Sequence, residues 1–193
     1  MSSLTLSEYL SASADVVQAT ASVGLDKAMA QAVEWTTAAL AARLPVLVCG
    51  NGGSAADAQH IAGELVGRFL KERRGLNVIA LAANPAVLTA WANDYDYASV
   101  FARQVEAHGR PGGVLLALST SGNSANVVQA AEAARKEQMK VVAFTGEGGG
   151  KVAALAHALL AVPSRHTPRI QEGHLALYHY LCEMVEARIA EPA

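Results

Sequence analysis

The chain has 193 residues, of which 52% are hydrophobic and 17% charged, with a formal net charge of −2. That length suits one domain with a buried core, and neither the near-neutral charge nor an aromatic content of 5% offers nucleic acid a basic or stacking surface. No apolar run is long enough to span a bilayer, so the apolar surplus points to surface covered in an oligomer.

The start, Met1-Ser2-Ser3-Leu4-Thr5, carries no basic segment and no cleavable apolar one. A helix is expected from Thr5 to Ala21, opened by a Thr5/Glu8 capping box and broken at Gly24. A second is expected from Asp26 to Arg43, stopped by Pro45. Two helices ahead of the first strand either pair with copies of themselves or cover one face of a sheet. Val46 to Cys49 reads as a buried strand. A loop follows at Gly50-Asn51-Gly52-Gly53, whose glycines admit positive φ and close approach of a ligand. Ser54 and Asp57 have capping-box spacing for the next helix. On that helix His60 and Glu64 are spaced i, i+4, with Arg68 one step further along the same row.

Asn77–Leu81 is the next predicted strand. A helix over Pro85–Trp91, a polar break at Asn93-Asp94 and a helix over Ala98–His108 come after it. Val114–Leu118 is a strand, Ser119-Thr120-Ser121-Gly122-Asn123-Ser124 a polar loop, and Ala125–Glu137 a helix. Lys140–Phe144 and Leu159–Val162 are the last strands, separated by the glycine-rich turn Gly146–Gly150. A final helix, capped by Thr167 and opened by Pro168, reaches Ile189. Strands alternating with helices predict a parallel sheet covered on both sides. With no linker or repeat, one domain is expected.

Gly50 to Ala55 also fits the dinucleotide pattern G-x-G-x-x-A. The next strand ends Leu81-Ala82-Ala83-Asn84, however, without the carboxylate a ribose requires. No Gly-Lys-Ser/Thr follows the glycines, which excludes a Walker loop. The serine loop offers hydroxyls and helix-start N–H groups but no lysine, a set suited to a phosphate monoester. His60 and Glu64 read as an acid–base pair, as metal ligands, or as an exposed polar pair. Gln171 and His179 project about 80° apart on the last helix and can line one cleft. His174 and His179 otherwise read as core histidines. Cys49 and Cys182 fit no disulfide scaffold and suit a reducing, cytoplasmic setting.

Cys49-Gly-Asn-Gly-Gly-Ser54, His60-x-x-x-Glu64 with Gly67-Arg68, Asn93-Asp94, the serine loop, and Arg169-Ile-Gln-Glu-x-His174 with His179 stand in order along the chain. Together they resemble the bacterial phosphoheptose isomerases of the sugar-isomerase (SIS) domain family. The resemblance implies a flavodoxin-like αβα sandwich with a five-stranded parallel sheet. It places a helical pair at 1–44 and the core at 45–193. It implies a homotetramer with active sites between subunits. It further implies conversion of sedoheptulose 7-phosphate to D-glycero-D-manno-heptose 7-phosphate, at the entry to lipopolysaccharide heptose. By the same resemblance Glu64 is general base and His179 acid, and Ser119, Thr120, Ser121 and Ser124 hold the phosphate. Asn51, Gly52, Gly53, Asn93, Asp94 and Gln171 contact the sugar, with Ser54 and Arg68 counted among the substrate-binding residues. One zinc per subunit is implied on His60, Glu64, Gln171 and His179. Pro168 departs from the family, several members of which have an acidic residue before Arg-Ile-Gln. Non-catalytic relatives that bind the bacterial replication initiator share the loops but lack the glutamate and histidine. The rival reading of this chain as such a regulator is opposed by Glu64 and His179.

Overall fold

Five short runs of Val, Leu and Ala pair into one parallel sheet in the computed structural model, which describes residues 4–190. The start at residues 1–3, part of the stretch read as free of a leader, lies outside the described residues. The strands are β1 (Val46–Cys49), β2 (Val78–Ala80), β3 (Val114–Ser119), β4 (Lys140–Thr145) and β5 (Ala158–Ala161). β1 and β3 are buried along their whole length, as strands covered on both faces must be. The sheet order is β2-β1-β3-β4-β5, with Val46 beside Val114 and Cys49 beside Ala117. In this order the winding reverses between β1 and β3, so a crevice opens beyond their carboxyl ends. The glycine loop leaves one of those two ends and the serine loop leaves the other.

Alternate strand residues serve two cores. Val46, Val48, Leu116, Leu118, Val142, Phe144 and Leu160 pack under α2 (Asp26–Ala41), α3 (Gly53–Val66) and α7 (Thr167–Ala190). Leu47, Cys49, Leu115, Ala117, Val141 and Ala143 pack against α5 (Val100–His108) and α6 (Ala125–Lys136). α4 (Pro85–Asp94) adds Leu88 and Trp91 to that second side. The expected αβα sandwich is therefore present. Among the described residues no helix is long and apolar enough to cross a membrane.

The two N-terminal helices differ in what they cover. α1 (Leu6–Ser22) is capped as predicted, with Glu8 N–H donating to Thr5 Oγ1 and Thr5 N–H to Glu8 Oε2. Thr20 is its one buried residue. α2 buries Met29, Ala32, Val33, Thr36, Ala39 and Leu40, so α2 covers the sheet and α1 lies outside it. α1 is fastened by Arg169 of α7, whose guanidinium is 3.7 Å from the Tyr9 ring, donates to Tyr9 O at 2.7 Å and bonds Ser13 Oγ. α2 stops before Pro45 is reached. Arg43 turns to φ 60, and the N–H groups of Arg43 and Leu44 return to Leu40 O and Ala39 O. That is the left-handed helix end usually given to glycine.

Three local expectations are corrected. Ser54 does not cap α3: the helix starts at Gly53 behind Gly52, and Ser54 is buried within its first turn. The Ser54/Asp57 box is absent because the Asp57 carboxylate instead accepts from the Tyr178 hydroxyl. Of the three loop glycines only Gly52 has positive φ. A Cβ at Gly50 would strike the Ser54 carbonyl, and one at Gly53 would strike the Gln171 amide, so those two are needed for room. Asn93 and Asp94 form no break, since α4 runs through both.

His174 is the core histidine expected. It is fully buried on α7, with Nε2 3.0 Å from Thr145 O and Nδ1 unpartnered. Burial pushes its pKa down to about 4, against the small upward pull of the Thr145 carbonyl. The unfolded chain takes up this proton first, so folding stability falls as pH drops from about 6.5 to about 4. The loss over that window is about 3 kcal/mol at the usual 1.36 kcal/mol per unit. Urea unfolding of wild type and His174→Gln across this range should show a shallower acid slope in the variant.

Candidate active site

β1 and β3 are neighbours, and so the two polar loops face one another. Their link is a reciprocal pair of amides: Asn51 Nδ2 donates to Asn126 Oδ1 and Asn126 Nδ2 to Asn51 Oδ1, each at 2.8 Å. The Tyr97 hydroxyl donates to Asn51 Oδ1 at 3.0 Å and brings the end of the Asn93-Asp94 segment to the glycine loop. Asn93 itself donates to Asp94 Oδ1 at 2.9 Å, both side chains lying exposed.

The serine loop is tied within itself and to the turn after β4. Ser124 stands at the N-cap of α6 but makes no side-chain cap bond, and its Oγ lies 3.0 Å from Ser119 Oγ. Ser121 Oγ accepts from Asn123 N–H at 3.1 Å. Gly122 has φ 64, and its backbone touches that of Gly149 and Gly150, an approach no side chain would allow. The Gly146 N–H to Thr120 O bond, 2.9 Å, ties the loop to the turn after β4. What the loop presents is hydroxyls and the free N–H groups of a helix start, the chemistry that receives an anion.

α3 and α7 begin at the same edge, because the Gln171 amide lies against Gly53, the first residue of α3. Running on from there, they bring His60, Glu64 and His179 together, with ligand atoms all within 4.8 Å of one another. His60 Nε2 is 2.9 Å from Glu64 Oε1, and His60 Nδ1 is 3.0 Å from the Tyr178 hydroxyl, which also donates to Asp57 Oδ1 at 3.3 Å. Burial raises the Asp57 carboxyl above its usual range, and burial with the Asp57 charge pushes the Tyr178 phenol well up. Tyr178 therefore stays a neutral hydroxyl bracing His60. The Glu64 side chain keeps 22% of its exposure, so it is not sealed in the packed core.

Arg68 does not continue this row. α3 ends at Val66, and Arg68 pairs with exposed Glu72 at 3.1 Å. Arg73 instead closes the helix, donating to Glu64 O at 2.8 Å and Gly67 O at 2.5 Å. Sequence spacing missed Asp57 as a brace, and missed Tyr97, Asn126 and Tyr178 altogether. Each acts across a long stretch of chain.

A cation fits this cluster. His179 Nε2 is buried without a hydrogen-bond partner among the described residues, an arrangement costing about 1–3 kcal/mol when nothing satisfies it. Two imidazoles and a carboxylate form an N/O donor set suited to zinc.

The sequence and the fold are both met in known proteins. Residues 8–146 match the SIS domain family. The chain is 56% identical over 159 residues to a phosphoheptose isomerase of Rhodospirillum rubrum, covering 82% of this chain and 85% of that one. It is 49% identical over 180 residues to a phosphoheptose isomerase of Methylibium petroleiphilum, covering 92% and 90%. The solved phosphoheptose isomerase of Neisseria gonorrhoeae superposes with a TM-score of 0.87 at 43% identity, over 95% of this chain and all of that one. That of Francisella tularensis gives 0.89 at 37%, over 94% and 96%. The chain belongs to the SIS-domain family and, within it, to the phosphoheptose isomerases.

Proposed function

We propose that this chain is an aldose–ketose isomerase that converts sedoheptulose 7-phosphate to D-glycero-D-manno-heptose 7-phosphate. The observation that carries this reading is the meeting of Glu64 and His179 on α3 and α7, two helices whose first turns touch where Gln171 lies against Gly53, with the glycine loop tied to α6 through Asn51 and Asn126 at the β1–β3 crevice. Ser119, Thr120, Ser121 and Ser124 hold the phosphate, and Asn51, Gly52, Gly53, Ser54, Asn93, Asp94 and Gln171 are assigned to the sugar, with Arg68 counted among the substrate-binding residues. Gripping the phosphate supplies binding energy remote from the reacting carbons. Glu64 takes the proton from the carbon next to the carbonyl, forming an enediol, and returns it to the neighbouring carbon. His179 serves the oxygens that change charge, a division of labour usual for proton transfer. Purified protein incubated with sedoheptulose 7-phosphate should yield the aldose; no product with or without added zinc would sink the reading.

Zinc, one per subunit, would be held by His60, Glu64 and His179, with Gln171 as the fourth ligand. When bound it supplies positive charge beside the oxygens that become negative. Adding zinc to metal-free protein is expected to stabilise it by about 2.7 kcal/mol at 100 times Kd. For a chain of this size that is a rise in Tm of roughly 5–10 °C. A melting curve unmoved by zinc, or moved equally in His179→Ala, would remove zinc from this site.

The chain is read as one SIS domain over 1–193, working as a cytoplasmic homotetramer that feeds lipopolysaccharide heptose synthesis. Two buried free thiols suit that compartment. The assembly is supported by α1, where Leu6, Leu10 and Val17 are 73%, 56% and 42% exposed. Beside it lies an apolar groove of about 260 Å³ lined by Val17, Leu25, Met29, Leu177 and Tyr180.

A further inference from the structure

We propose that Tyr97 is a positioning residue that acts through Asn51, fixing its side chain as a one-proton donor to a substrate oxygen. The inference deepens the sugar-phosphate reading of the site and rests on it. An amide side chain has two lone pairs on oxygen and two protons on nitrogen. At Asn51 both lone pairs are taken, one by Asn126 Nδ2 at 2.8 Å and one by the Tyr97 hydroxyl at 3.0 Å. One of its two protons goes to Asn126 Oδ1 at 2.8 Å. A single N–H is left for a ligand, and no acceptor capacity remains. Asn51 therefore selects for an oxygen that accepts: a carbonyl, a hydroxyl oxygen or a phosphate oxygen.

The two partners of Asn51 differ in kind. Asn126 is 3% exposed in the first turn of α6, where it also ties the loops together. Tyr97 is 54% exposed, so its ring is not there to fill a core. Its segment is nonetheless built: Trp91 stacks on Tyr95 at 4.1 Å, the Trp91 indole N–H donates to Ser99 Oγ at 2.8 Å, and Asp96 accepts from Ser99 N–H at 2.7 Å. The hydroxyl of Tyr97 thus reaches Asn51 from a fixed support. Without it, an Asn51 lone pair is released and only the two bonds to Asn126 still hold the amide.

A double-mutant cycle tests this. Tyr97→Phe removes only the hydroxyl and is expected to lower kcat/KM about 5–10-fold, the scale of one neutral hydrogen bond. The loss should fall on KM with kcat and Tm unchanged. In an Asn51→Ala background the same substitution should have no further effect, because its target is gone. Where Asn51→Ala turns over too slowly, Kd for sedoheptulose 7-phosphate by calorimetry completes the cycle. An equal factor in both backgrounds, or no effect in wild type, overturns the role of Tyr97 while the site reading stands. If Asn51→Ala itself leaves kcat/KM and Kd unchanged, the sugar contact assigned to Asn51 falls, and the inference with it.

Discussion

Glu64→Gln should retain phosphosugar binding and lose turnover by about 10²-fold or more, the usual scale for losing a general base. The substitution keeps the size of the side chain, and its amide, which can donate or accept, can still hydrogen-bond His60 Nε2, 2.9 Å away in the native pair. What it loses is the ability to take a carbon-bound proton. The serine loop, which grips the phosphate in this reading, is untouched, so KM should move only a few-fold. Steady-state kinetics alongside calorimetric Kd separate the two effects. Turnover near the wild-type rate would remove Glu64 as the base and leave it only as a metal ligand.

The largest effect on stability is expected at Glu186, at the far end of the helix that carries His179. Its carboxylate accepts from the N–H groups of Phe69 at 2.8 Å, Leu70 at 2.5 Å and Lys71 at 2.8 Å, and pairs with Arg73 at 3.1 Å. The two charged side chains keep only 3% and 1% of their exposure. Burial alone would raise the Glu186 pKa, but the three N–H groups and the guanidinium outweigh it and hold the carboxyl below its usual value. Its contribution is therefore complete above about 4.5 and fades as pH falls through the lowered folded value. Glu186→Ala would strand a buried cation and three backbone donors, a loss of about 3–5 kcal/mol. Denaturant unfolding at neutral pH measures it; a loss below about 1 kcal/mol would show that the turn relaxes to reach water. Arg73 caps the helix at the Glu64 carbonyl, so whatever folded protein remains should also turn over more slowly.

The legible parts of the molecule were those written in consecutive residues. The Val/Leu runs of β1 and β3, the glycine loop, the hydroxyl loop and the i, i+4 step from His60 to Glu64 are all local patterns. The illegible parts depend on which strand lies beside which. Asn51 meets Asn126 across 75 positions, Tyr97 meets Asn51 across 46, and Tyr178 meets Asp57 across 121. Each pairing follows from the sheet order and the placing of α7 on α3, which periodicity does not carry. Other failures were local, those at Ser54 and Arg68 among them. Ser54 and Asp57 have capping spacing, but Gly52 takes the cap position and the helix starts two residues too early for Ser54 to cap. Arg68 extends a helical row past Val66, where the helix has already ended. α1 and α2 carry similar apolar stripes, and only their contacts show that one roofs the sheet and the other does not.

Arg169 gives the first helix a mechanical role. The residue is 5% exposed and its guanidinium is divided between Tyr9, Ser13 and Glu172, and Gln171 follows two residues later. A pull on the N-terminal arm is thus delivered to the start of α7, where Gln171 rests on the glycine loop. Clipping that arm by a protease, or leashing it with a bulky fusion, would slacken the substrate cleft from its far side without touching one residue that lines it.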